Sequence, residues 1–213
     1  MPPVVSIVGK SESGKTTLLE KLLKELKARG YRVATVKHTA EKLSFDEPGK
    51  DSWRHIQAGS EATLISSPDK VVLIKPSRTT ISLEEIVRLL GEDYDIILTE
   101  GFKVSDAPKI EVHRKQAGPP LASVKRLIAI ATDEPLESKA RQFSLEDVKG
   151  LTDLLEKGFI QPQRERVTLY VNQKPIVLTT FPKQIVANVL MALASSLKGV
   201  KKIKSLEFLL RKP

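Results

Sequence analysis

Residues Gly9 to Thr16 read Gly-Lys-Ser-Glu-Ser-Gly-Lys-Thr. That spacing suits a polyphosphate: a glycine-rich turn lets successive backbone N–H groups converge on phosphate oxygens, the lysine reaches the β and γ oxygens, and the threonine hydroxyl can ligate Mg²⁺. Gly9, Ser11, Ser13, Gly14, Lys15, Thr16 and Thr17 are therefore candidate nucleotide-binding residues, with Thr16 also a candidate metal ligand. Glu12 sets a carboxylate inside a loop meant for anions, so its side chain is expected to point outward.

In an open α/β sheet a ligand lies beyond the carboxyl ends of the strands, which directs attention to the residues that follow apolar runs. Lys37 and His38 follow one such run, Glu100 closes another, and Thr132-Asp133 follows a third. Glu100 can hold Mg²⁺ directly or through water, or orient a water for hydrolysis, which makes it the candidate catalytic residue; its structural alternative is an acidic strand end paired with Lys103. Asp46 and Asp51 flank Pro48-Gly49, and either can complete a metal shell, although Asp51 is equally suited to start a helix. Lys37 and Arg54 can neutralise phosphate charge, and His38 can hydrogen-bond a ligand or serve the fold. Asp133 can accept the amino-type hydrogens of a guanine, yet there is no Asn-Lys-x-Asp tetrad, so spacing alone leaves guanine and adenine both open.

The elements that must position these groups follow from periodicity. Val4 to Val8 is an apolar run, and Leu18, Leu19, Leu22, Leu23 and Leu26 recur at helical spacing before Gly30, where a C-terminal cap is expected. With the β-branched run at 31–37, residues 4–37 predict one βαβ unit and parallel strands. A loop over 39–50, a helix over 51–59, and two strands at 62–66 and 71–75 follow; the two strands are expected as a hairpin at one margin of the sheet. Ser82 with Glu85 predicts a capping box and Gly91 a helix end. Strands are expected at 94–99, 108–113 and 126–131, and a closing helix over 143–157. The predicted class is α/β, a mostly parallel sheet flanked by helices, with domains at 1–160 and 164–213. The second domain reads as a small ββαβ appendage: alternation at Val167, Leu169 and Val171, a turn at 172–175, alternation at Ile176 and Leu178, a helix from Pro182 to Gly199, and a last strand over 203–210.

Composition limits the chemistry. There is no cysteine, which excludes disulfides, thiolate metal sites and thiol catalysis, and the three histidines are scattered. No stretch approaches the 18 or so apolar residues of a membrane span, and the N-terminal sequence lacks a basic-then-apolar signal, so no membrane association and a cytoplasmic location are expected. Net charge is +9, but residues 1–163 hold 25 Lys and Arg against 24 Asp and Glu, whereas residues 164–213 hold 10 against 2. The basic surplus thus belongs to the appendage. It suits an acidic protein or an anionic small molecule; nucleic acid is not the expected partner, because no aromatic-interleaved basic repeat is present.

The blocks Gly9-Lys10-Ser11-Glu12-Ser13-Gly14-Lys15-Thr16-Thr17-Leu18, Val36-Lys37-His38, Asp46-Glu47-Pro48-Gly49-Lys50-Asp51-Ser52, Leu98-Thr99-Glu100-Gly101-Phe102-Lys103 and Pro108-Lys109-Ile110-Glu111-Val112 occur in one order. In that order they resemble the molybdopterin-guanine dinucleotide biosynthesis protein B family over about residues 4–157. The resemblance implies a P-loop NTPase fold and a homodimer that binds GTP with Mg²⁺. It implies an accessory role to a molybdenum cofactor nucleotidyltransferase that attaches GMP to molybdopterin, so that the protein is at most a weak GTPase. By motif, Gly14, Lys15, Thr16 and Thr17 would hold phosphates, with Asp46 and Glu100 near the metal. The chain departs from the family at Glu41-Lys42, where members often carry a second histidine, and at Phe45, which abuts Asp46. A small-molecule kinase or ligase and a nucleic-acid ATPase are the alternatives on the same scaffold. A nickel-type insertion GTPase fits poorly with so few soft or imidazole ligands.

Overall fold

The computed structural model describes residues 1–39, 41, 46–77, 79–163, 167, 169–171, 174–176, 178–200, 203, 206 and 208. Two compact units form, residues 2–162 and residues 163–213 with Met1.

In the first unit, β1 (Val4–Val8) leads through the glycine-rich loop into α1 (Lys15–Ala28). Gly14 caps the helix with φ 91°, a left-handed conformation that glycine adopts without a Cβ penalty. At the other end the Tyr31 N–H bonds the Leu26 carbonyl and the Gly30 N–H that of Lys27, the paired bonds of a Schellman stop. There follow β2 (Val33–Lys37), α2 (Asp51–Gln57), β3 (Thr63–Ser66), β4 (Val71–Ile74), α3 (Leu83–Leu90), β5 (Ile96–Glu100), β6 (Lys109–His113), β7 (Leu127–Thr132), β8 (Arg141–Ser144) and α4 (Val148–Leu155). The Ser82–Glu85 capping box forms at the start of α3.

Six strands make one parallel sheet in the order β2-β5-β1-β6-β7-β8. The order reverses around β1: the chain leaves it for β2, returns to β5 on one flank, and then builds outward on the other flank through β6. The glycine-rich loop therefore leaves the sheet at its topological switch point, where α/β sheets place ligands.

Alternation divides the sheet into two faces. Val5, Ile7, Ile96, Leu98, Ile110, Val112, Ala129 and Ala131 pack with the α1 leucines and with Leu151 and Leu155 of α4 in one apolar core. The other face buries polar groups, each with a bond: Thr99 Oγ1 donates to Ser6 Oγ at 2.8 Å, Glu111 accepts the Leu121 N–H at 2.7 Å, and His113 Nε2 meets Glu134 Oε1 at 2.9 Å. Lys109, fully buried, donates to the carbonyls of Ser105 and Ala107, and burial lowers its pKa from the ordinary lysine value. Unbonded, such groups would cost far more to bury than they return.

The strands of the expected βαβ unit are parallel, with β5 lying between β1 and β2. Three expectations are corrected. The β3–β4 hairpin forms, but as its own two-stranded sheet, with Leu64 and Val71 about 60% exposed (60% and 62%); the margins of the main sheet belong to β2 and β8. The helix expected over 143–157 begins only at Val148, because the Asp147 side chain accepts the Gly150 N–H at 2.9 Å and fixes the N-terminus there. Residues 141–144 before it pair with β7, and Phe143 and Leu145 are buried at strand spacing. In the second unit α5 spans Thr180–Ser195, a turn shorter at its end than expected, with Pro182 tolerated in its first turn.

That unit also contains β9 (Leu169–Val171) paired antiparallel with β10 (Lys174–Ile176). Along α5, Val186, Ala187, Leu190 and Ala194 are half-buried, whereas Ile185, Val189 and Leu193 are exposed. The last expected strand falls mainly outside the described residues; Ile203, Leu206 and Phe208 are described and lie in no regular element. Among the described residues no helix is long and apolar enough to cross a membrane.

An ionic clasp joins α1 to α4. Arg29 donates to Asp153 Oδ1 at 2.6 Å, Glu156 Oε2 at 2.7 Å and Glu25 Oε1 at 3.0 Å, and Tyr31 donates to Glu156 Oε1 at 2.7 Å. The Arg29 bond holds the Asp153 carboxyl below its usual range, and the Tyr31 and Arg29 bonds do the same for Glu156. A carboxylate with a depressed folded pKa stabilises the fold above its unfolded pKa, near 4, and loses that contribution as pH falls through the folded value. Arg29→Ala is therefore expected to lower the thermal midpoint at pH 7, and the wild-type and variant midpoints should converge in melts taken progressively below about pH 4. A constant gap down to pH 2 would show that Arg29 acts through packing alone.

Candidate nucleotide-binding site

The glycine-rich loop and the end of β5 enclose an open cavity of about 430 Å³ lined by Ser11, Glu12, Gly14, Lys15, Thr16, Thr17 and Glu100. Thr16 Oγ1 donates to Glu100 Oε2 at 3.0 Å, and Lys37 Nζ stands 3.8 Å from Glu100 Oε1. The register of β5 dictates this meeting, since Glu100 is opposite Lys37 on one side and Ile7 on the other. Glu100 is largely buried and Lys37 largely exposed (12% and 70%), so the carboxylate is fixed and the lysine is free to move toward a ligand.

Lys15 is the most constrained cation. Its Nζ donates to the Lys10 carbonyl at 2.6 Å, closing the loop on itself. Burial lowers its pKa, Glu100 opposes that shift, and Lys103 and Lys37 add to it. Lys15 thus lies within electrostatic reach of Lys37, Lys103 and Glu100, and Glu12 is the second carboxylate of the lining. Ser13 Oγ is buried without a partner among the described residues, an orphan that a ligand oxygen can satisfy. Gly9 is where the loop passes β6: a Cβ there would fall 2.4 Å from the Val112 carbonyl oxygen and 2.6 Å from Ser13 Oγ. Glu12 is exposed, with φ 60°, and is among the residues that line the cavity.

Other expected site residues stand apart from the cavity lining. His38 donates its backbone N–H to the Glu100 carbonyl at 2.9 Å and stacks its ring on Phe102, centroids 4.5 Å apart. Asp46 accepts from Ser52 Oγ at 2.7 Å, beside the first turn of α2. Asp133 is exposed and accepts the Lys115 N–H at 2.9 Å. Among the described residues no cluster of three His, Asp or Glu side chains forms a metal cage. Thr16 Oγ1 and Glu100 Oε2 place two oxygen atoms together at the cavity, and Mg²⁺ is commonly bound through only one or two side-chain oxygens beside substrate phosphates and water.

The sequence reading passed over Arg114. It directly follows β6, and its Nε lies 3.2 Å from the position a Cβ would take on Gly14. Its place after a strand end was the available signal; its proximity to the loop depends on β6 lying beside β1.

The model of the family described as MobB, molybdopterin guanine dinucleotide synthesis protein B, matches residues 4–133. A molybdopterin-guanine dinucleotide biosynthesis adapter protein of Haemophilus influenzae is 35% identical over 156 residues, spanning 72% of this chain and 88% of the relative. Its Escherichia coli counterpart is 35% identical over 161 residues, or 73% and 92% of the two chains. The crystal structure of Bacillus subtilis MobB superposes with a TM-score of 0.57 at 26% identity, covering 74% of this chain and 98% of that one.

Proposed function

Because the chain belongs to the molybdopterin guanine dinucleotide synthesis protein B family, we propose that its loop binds GTP with Mg²⁺ and that nucleotide binding serves an adapter role in molybdopterin guanine dinucleotide biosynthesis. The observation that carries this reading is the Thr16–Glu100 hydrogen bond beside Lys15: a hydroxyl, a fixed carboxylate and a partly buried ammonium converge on one cavity. Lys15 neutralises the β and γ oxygens, the loop N–H groups cradle the phosphates, and Thr16 and Glu100 hold the metal. Held there, Mg²⁺ would supply charge neutralisation to the phosphates. Lys37 supports the γ side and Glu100 orients a water, with slow hydrolysis expected, since binding rather than turnover suits an adapter. Asp133 reads the guanine, while His38 keeps the Gly101-Phe102 turn in place beneath the phosphates and Asp46 would be a further carboxylate for the metal.

In this reading the nucleotide-binding domain spans residues 1–160, and the chain works as a cytoplasmic homodimer. The partner is the nucleotidyltransferase that joins GMP to molybdopterin. The basic module at 164–213, ten cationic side chains against two anionic, favours an acidic surface of that enzyme or the anionic pterin phosphate itself.

Calorimetric titration of GTP and ATP into the full chain with Mg²⁺ tests the proposal. GTP is expected to bind at least about tenfold more tightly than ATP, a difference of roughly 1.4 kcal/mol. An ATP preference would replace this reading with a kinase or a nucleic-acid ATPase.

A further inference from the structure

Two flanks of β1 border the phosphate loop. Glu100 and Lys37 occupy the β5 flank. On the β6 flank stands Arg114, whose Nε, Nη2 and Cζ lie 3.2, 3.6 and 3.8 Å from the Cβ position of Gly14, the residue that caps α1. The N-terminus of a helix carries about half a positive charge, so a guanidinium held there is repelled unless an anion joins it. Among the described residues the Arg114 guanidinium has no hydrogen bond or ion pair. Glu146 feels its charge but is bonded to Lys21 at 2.6 Å. Arg114 is also half-buried, so water alone does not solvate it fully.

We propose that Arg114 is a nucleotide-binding residue that closes the phosphate site from the β6 flank and grips the α- and β-phosphates. This rests on the nucleotide reading above and adds a direction to it. Thr16 and Glu100, the residues that would hold the metal, would fix the γ end toward β5. The opposite flank then receives the α-phosphate and leads outward to the base. Asp133 lies that way, at the end of β7, and its carboxylate accepts the backbone N–H of Lys115, the residue after Arg114. The planar fork of arginine can make two parallel bonds to phosphate oxygens in a fixed geometry, whereas an ammonium acts as a point charge.

GTP and GDP are titrated calorimetrically into the full chain, wild type, Arg114→Ala and Arg114→Lys, with thermal melts alongside. Arg114→Ala is expected to weaken GTP and GDP by the same factor, roughly 10- to 30-fold, leaving the GTP/GDP ratio unchanged; Arg114→Lys should recover part of the loss. A loss confined to GTP would place Arg114 on the γ-phosphate and overturn the direction proposed. Unchanged affinity with a lowered melting temperature would make Arg114 structural and overturn the assignment. Failure of the wild type to bind either nucleotide would overturn the nucleotide reading itself, and Arg114 with it.

Discussion

Lys15→Ala is expected to weaken GTP binding by at least about 100-fold while leaving thermal stability unchanged or slightly raised. The loss follows from what the ammonium does: partly withdrawn from water, it meets phosphate oxygens with charge-assisted hydrogen bonds, each stronger than a neutral one. Lys37 does not take its place, since it stands largely exposed on the far side of the Glu100 carboxylate. The stability expectation follows from where the residue stands. Lys15 opens α1, so its charge opposes the helix dipole, and alanine has the higher helix propensity. Loss of the bond to the Lys10 carbonyl offsets part of that gain. Calorimetry and melts of the same preparation separate the two effects. A variant that binds GTP like the wild type would place the phosphates elsewhere.

The local parts of this site were legible in the sequence, and the non-local parts were not. The glycine-rich loop announces itself because its backbone requirement and its lysine and threonine are contiguous, and the flanking periodicities name strand and helix independently. Glu100 was legible because it ends an apolar run. Arg114 directly follows a strand as well, yet its meaning depends on β6 neighbouring β1, a pairing that periodicity does not encode. The same cause explains β8. Residues 141–157 contain enough apolar side chains for one helix, and only the edge of β7 decides that 141–144 extend beside it, with Asp147 setting the helix start. The hairpin was read correctly as a local unit and wrongly as part of the main sheet, because turn chemistry specifies its two strands and says nothing of their neighbours.

Gly9→Ala is expected to be more damaging to the fold than any other single-methyl change in the loop, lowering unfolding free energy by about 1–3 kcal/mol and removing measurable GTP binding. The obstacle is backbone: the new Cβ would lie 2.4 Å from the Val112 carbonyl oxygen, closer than real Cβ contacts come. Val112 cannot retreat alone, because β6 is locked between β1 and β7 and its Ile110 and Val112 side chains are in the core. The loop must therefore lift from β6, which also displaces Ser13, 2.6 Å from the same position, and with it the N–H groups that would face the phosphates. Gly14→Ala provides the comparison. Its Cβ meets only the Arg114 side chain, at 3.2 Å, which can swing away, so the remaining penalty is that of a left-handed φ, about 1 kcal/mol. Urea denaturation of both variants should place Gly9→Ala below Gly14→Ala in stability. The reverse order would mean that the loop does not press on β6, and that the position of Arg114 beside Gly14 matters more to the fold than the close passage of Gly9.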